Sequence, residues 1–181
     1  MNRTAVLVFG VTIGALMTLR PSVARAQCTA SGDGGTCNLP GSVSMTAGRV
    51  VRLQMSAAST SLTAPTPTHF DAGLNTTTGP TLTVSANASW RLYVRSSTAL
   101  WSATNTSPGA PARTDKPAAD LRWSTNAGGS FAALTTTDAS LVAGAATASS
   151  ATTLYFETLY SWLLDTPGDY GLTLVLTLTS P

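Results

Sequence analysis

Asp165-Thr166-Pro167-Gly168-Asp169-Tyr170-Gly171-Leu172-Thr173-Leu174-Val175-Leu176-Thr177-Leu178-Thr179-Ser180-Pro181 decides the fold class. Tyr170, Leu172, Leu174, Leu176 and Leu178 fall on every second position, and Gly171, Thr173, Thr177 and Thr179 alternate with them. That is the period of a half-buried β-strand, not of a helix. The stretch reads as a sharp turn at Pro167-Gly168 followed by one strand that runs to the last residue. Its apolar ladder needs a surface to bury against. Val51, Leu53, Trp90, Leu92 and Val94, which also alternate, are expected to build the facing sheet.

Outward from this segment the same period recurs. Val43 and Met45 suggest a short first strand, and Val50 to Met55 a second. Ser56 to Pro80 is rich in Ser, Thr, Ala, Pro and Gly and is expected to be a long loop, with room for short strand pieces and with His69-Phe70 as its bulky anchor. Leu82 and Val84 resume the alternation. Ser89 to Ser96 then reads as a central strand, with Trp90, Leu92 and Val94 on one face and Arg91, Tyr93 and Arg95 on the other. A proline-bearing linker over Asn105 to Ala119 precedes short strands at Leu121 to Trp123, Phe131 to Leu134 and Leu141-Val142. Ala151 to Leu164 fits either period. Its β-branched start, aromatic density and the turn that follows favour a strand, and no segment after residue 26 is expected to be helical. Short strands between Gly, Pro and Ser clusters add up to an all-β fold, a single antiparallel β-sandwich of about seven to nine strands.

The N-terminus has a basic start at Arg3, an apolar run from Ala5 to Leu19, and Ala24-Arg25-Ala26 as a small-x-small cleavage site. This is the pattern of a secretory signal peptide, so residues 1–26 are set aside and residues 27–181 are expected to form one domain. The leader carries three of the ten cations. Without it seven basic residues face eight acidic ones, a net charge of −1 that gives nucleic acid no basic patch to meet. No second apolar run follows, so no membrane span is expected in the mature chain. Only 10% of the residues are charged, and solubility falls to the abundant Ser and Thr hydroxyls. Cys28 and Cys37, the only cysteines, flank a glycine-rich loop and are expected to pair as a disulfide in an oxidising compartment. A two-cysteine metal site is the rival reading, disfavoured because His69 is the only other soft ligand and lies far along the chain.

The corner Asp165-x-Pro167-Gly168-x-Tyr170 resembles the tyrosine corner of immunoglobulin-like domains, where a tyrosine near a strand start returns its hydroxyl to upstream backbone. The resemblance spans about ten residues. It departs from the pattern in that no cysteine follows and the strand is the last one. It implies an immunoglobulin-like sandwich and sets the chain beside small exported bacterial sandwich proteins, including surface and fibre subunits.

Chemistry is sparse. A serine triad would need His69, which no Gly-x-Ser-x-Gly turn accompanies. Glycoside hydrolysis needs two carboxylates across a cleft, and Glu157, the only glutamate, reads as a solvated outward position. Asp165 and Asp169 fall short of a calcium ligand set, and Asp165 reads as a turn cap. No cofactor or metal is implied. The residues best suited to a ligand are Tyr93 between Arg91 and Arg95, and any tryptophan among Trp90, Trp101, Trp123 and Trp162 that lies outside the core. The chain is therefore expected to be a non-catalytic structural or interaction protein of the periplasm, cell surface or extracellular space, self-associating or joining another exported protein. A carbohydrate-binding module that uses exposed aromatics is the alternative, and a hydrolase through His69 or Glu157 the second alternative.

Overall fold

Val51 to Met55 forms the first strand, β1, in a computed structural model that describes residues 42–107 and 109–181. After it come the helix α1 (Pro67–Ala72), β2 (Leu74–Ala86), β3 (Trp90–Ser96), β4 (Ser102–Thr104) and β5 (Leu121–Ser124). The chain continues through β6 (Ala132–Ala133), β7 (Ala139–Gly144), β8 (Thr147–Leu159), β9 (Asp169–Gly171) and β10 (Leu174–Thr179). Among the described residues every pairing is antiparallel. The strands form a five-stranded sheet in the order β1-β2-β8-β5-β6, a three-stranded sheet β10-β3-β7, and the pair β4-β9. Residues 47–181 group as one unit. Residues 1–26, expected to be a signal peptide, and Cys28 and Cys37, expected to form a disulfide, lie outside the described residues. Among those residues no helix is long and apolar enough to cross a membrane.

Alternation dictates what is buried. On β2, Leu82, Val84 and Ala86 point inward while Thr81, Thr83 and Ser85 stay half-exposed, and on β3 Trp90, Leu92 and Val94 are buried. Leu154 and Phe156 of β8 join them in one cluster with Trp101, Leu121, Trp123 and Leu134, so the two larger sheets share a core. Tyr170, Leu172, Leu174, Leu176 and Leu178 all pack against it.

The closing segment is not one strand. Asp169–Gly171 pairs with β4, and after Leu172-Thr173 the chain re-enters a different sheet as β10, beside β3. Trp90, Leu92 and Val94 are therefore strand neighbours of the leucine ladder and not its facing sheet; Leu82, Leu154 and Phe156 belong to the other sheet. Val43 and Met45, expected in a strand, lie in an exposed stretch without regular structure. Ala151 to Leu159 is strand, within β8, and residues 161–164 turn.

The loop expected over residues 56–80 contains two elements. Thr66 precedes α1 with extended backbone, Pro67 opens the helix with its φ already set, and Gly73 closes it at φ +73° in the left-handed region. His69 secures the first turn, its Nδ1 accepting the Thr66 N–H at 3.1 Å. From Leu74 the chain is already strand. Pro80 is tolerated inside β2 because the register with β8 shifts between Thr78 and Thr81, a bulge that spares the ladder the missing N–H.

Candidate functional site

Two features at the surface of this unit combine shape with chemistry. The first grows from Lys116, the only lysine of the chain. Its backbone is fixed because the Trp101 N–H donates to the Lys116 carbonyl at 2.9 Å and the Ala118 N–H to that of Ala99 at 2.8 Å. The side chain is 4% exposed and runs beneath the end of β8. There Nζ donates to Asp165 Oδ1 at 2.9 Å, to the Leu159 carbonyl at 2.9 Å and to Asp120 Oδ2 at 3.3 Å. Asp165, 7% exposed, also takes Arg113 at 3.0 Å on Oδ1 and the Ser161 N–H at 2.9 Å on Oδ2. Arg113 reaches Asp115 as well, at 2.9 Å.

Burial alone would raise the Asp165 carboxyl, but the hydrogen bonds from Lys116 and Arg113, the Lys116 charge and the Ser161 amide outweigh it and hold the pKa below the ordinary carboxylate value. Burial likewise works against the Arg113 charge and is overcome by Asp115 and Asp165, which raise its pKa. Tyr160 is raised by burial, with the Asp165 charge adding to it and a Thr158 hydrogen bond opposing. Every Lys116 proton and both Asp165 oxygens are engaged. Engagement of this kind locks two loops together and commits the Lys116 ammonium and three acceptor sites of Asp165 to partners within the unit.

Above this network lies a cleft of about 650 Å³ lined by Phe70, Trp101, Lys116, Tyr160, Trp162 and Asp165 among others. Phe70, delivered by α1, stacks on Trp162 with ring centroids 4.6 Å apart and tilts against Tyr160 at 5.5 Å. Trp162 remains 59% exposed while its Nε1–H donates to Asp71 at 3.0 Å. Trp90, Trp101 and Trp123 are core residues.

The corner residues meet at this end. The Tyr170 hydroxyl donates to the Thr166 carbonyl at 2.7 Å and accepts the Arg113 N–H at 2.9 Å. Gly168 is required by crowding: a Cβ there would stand 2.5 Å from that of Ala112 and 3.1 Å from the Thr104 carbonyl. Tyr93 lies elsewhere, half-buried on β3 between Thr177 and Ser140, with Arg91 exposed and Arg95 3.5 Å from Asp138. Those three residues line neither cleft of the described unit. Glu157, expected to be solvated, is 13% exposed and paired with Arg122 at 3.2 Å.

The second feature is an edge. Among the described residues β10 closes one side of its sheet and pairs with β3 alone. Ser97 donates to the Thr173 carbonyl at 2.9 Å, so the bonded positions of this ladder are the odd ones. The main-chain N–H and C=O groups of Leu174, Leu176 and Leu178 then turn to the open side. Beneath that edge runs a groove of about 640 Å³, walled by Leu172, Leu174 and Leu176 on one side and Leu121, Leu154 and Phe156 on the other. Residues 57–62 also border it.

The sequence reading singled out Phe70 only as a loop anchor and missed Lys116, Arg113 and the groove. A signal for Lys116 and Arg113 existed: Arg113-Thr114-Asp115-Lys116-Pro117-Ala118-Ala119-Asp120 gathers four charges into eight residues of a chain that is otherwise charge-poor. Compared with known proteins, the chain matches no family model and no curated protein.

Proposed function

We propose that this chain is an exported, non-catalytic structural or interaction subunit, an immunoglobulin-like β-sandwich that joins a partner by accepting a strand at the free edge of β10. One observation carries the reading: among the described residues the outward main-chain groups of Leu174, Leu176 and Leu178 meet no further strand, beside a groove with leucine and phenylalanine walls, the arrangement that strand addition completes. The sandwich is supported by the cluster in which Leu82 and Leu154 of one sheet meet Leu92 and Val94 of the other. The corner is supported by the Tyr170 bond to upstream backbone. Export rests on the basic, apolar, small-x-small order of residues 1–26 and on the closely spaced Cys28 and Cys37. The test is sizing by light scattering, with negative-stain microscopy, of the purified mature chain over a wide concentration range. Growing or filamentous species are expected, and a monodisperse monomer at every concentration overturns the proposal.

Carbohydrate binding is a second reading, which the exposed Trp162 ring on Phe70 favours over Tyr93, because a stacked aromatic at the wall of a cleft that also holds Lys116 and Asp165 suits the apolar face of a sugar. Glycan-array binding that Trp162→Ala abolishes without lowering the melting temperature supports it; silence across a broad array dismisses it.

A further inference from the structure

Residues 39–47 read Leu-Pro-Gly-Ser-Val-Ser-Met-Thr-Ala, with Leu39, Val43, Met45 and Ala47 all on odd positions, Gly41 continuing the register, and Pro40, Ser42, Ser44 and Thr46 between them. This is a strand's period, and it carries no charge. Yet residues 42–50 belong to no strand, and Val43 and Met45 stand 101% and 88% exposed. Two exposed apolar side chains two residues apart, outside every sheet of the described residues, suit one side of an interface. The groove beneath β10 suits the other side. It offers main-chain bonds from Leu174, Leu176 and Leu178 and an uncharged trough with leucine and phenylalanine walls into which every second side chain of an added strand would point.

We infer that the segment 42–47 of one copy inserts along β10 of a second copy, with Val43 and Met45 in the groove. This deepens the strand-accepting reading above by naming the donor, and it rests on that reading. Each copy carries one donor and one acceptor, so the contact is head-to-tail and leaves a free donor at one end and a free groove at the other, the geometry of an open chain. The base of the donor is anchored: Asn87 accepts the Val50 N–H at 2.7 Å and donates to the Gly48 carbonyl at 2.8 Å. No charge has to be desolvated on either side, since neither the donor nor the six groove-wall residues named above carry one.

The test uses the mature chain, a Val43→Asp/Met45→Asp double variant and a fluorescein-labelled synthetic peptide of residues 38–48. Both substituted positions are solvent-exposed, so the variant should melt as the wild type does. The wild type is expected to grow with concentration, while the variant stays monomeric and binds the labelled peptide at least tenfold more tightly than a peptide carrying the same two aspartates. Assemblies that persist in the variant overturn the donor assignment and leave strand acceptance by β10 standing. A wild type that is monomeric at every concentration overturns both.

Discussion

Lys116 and Asp165 make the strongest residue-scale claim, because each would be a costly buried charge without the other. Lys116→Met leaves Asp165 with Arg113 as its one remaining cation beside the Ser161 amide and should lower unfolding free energy by about 3 kcal/mol in urea titration. The pH dependence follows from the carboxyl. Its folded pKa is depressed, so its stabilisation is complete above the unfolded value of about 3.9 and is lost as pH falls through the folded one. Thermal melts should therefore drop steeply below about pH 4 in the wild type. Asp165→Asn, already weakened at neutral pH, should show a flatter acid limb; an equal slope in both would contradict the assignment. Tyr170→Phe removes one donor and one acceptor at the corner and should cost about 1–2 kcal/mol by the same titration. Little of this network was legible beforehand. Pairing of Lys116 with Asp165 is a contact across 49 positions, set by where β8 ends, and the local pattern shows only that the charges are unusually close in sequence.

Elements fared according to how local their causes are. β3 and the strand part of residues 151–164 follow from alternation and β-branched or aromatic content, and they form where that pattern is strong. α1 is held by end effects instead: Pro67 at its start, His69 folding back on Thr66 and Gly73 at its close, in six residues too few to show a helical period. The start of β2 was hidden because Gly79-Pro80 reads as a breaker, and only pairing with β8 shows that both residues sit at a bulge. The fit there is tight enough to test. A Cβ at Gly79 would overlap the Phe156 ring edge, so Gly79→Ala should force the ring from its place in the core and destabilise by about 1–3 kcal/mol. Ser85→Ala, half-exposed on the same strand, should stay within about 0.5 kcal/mol and serves as the control. The division of the closing segment into β9 and β10 was equally invisible, since Tyr170 to Leu178 keep one alternation across two sheets.

At the scale of the whole molecule the charge count separates two ways for copies to meet. An interface of opposed ion pairs would weaken as salt rises, because exposed charges are screened within about 10 Å at 0.1 M and about 3 Å at 1 M. Only 10% of this chain is charged; Lys116, Arg113, Asp165, Arg122 and Glu157 are already spent on partners within the unit. The edge of β10 and the donor segment contribute main-chain groups and apolar side chains, whose association depends on burial and not on long-range attraction. Sedimentation velocity on the mature chain should accordingly give the same or larger assemblies at about 1 M sodium chloride as at about 0.05 M, and still larger ones in sulfate, which strengthens apolar burial. Dissociation by salt would assign the contact to charged surface such as Arg91 and Arg49, away from the groove, and would sink strand addition as the means by which copies join.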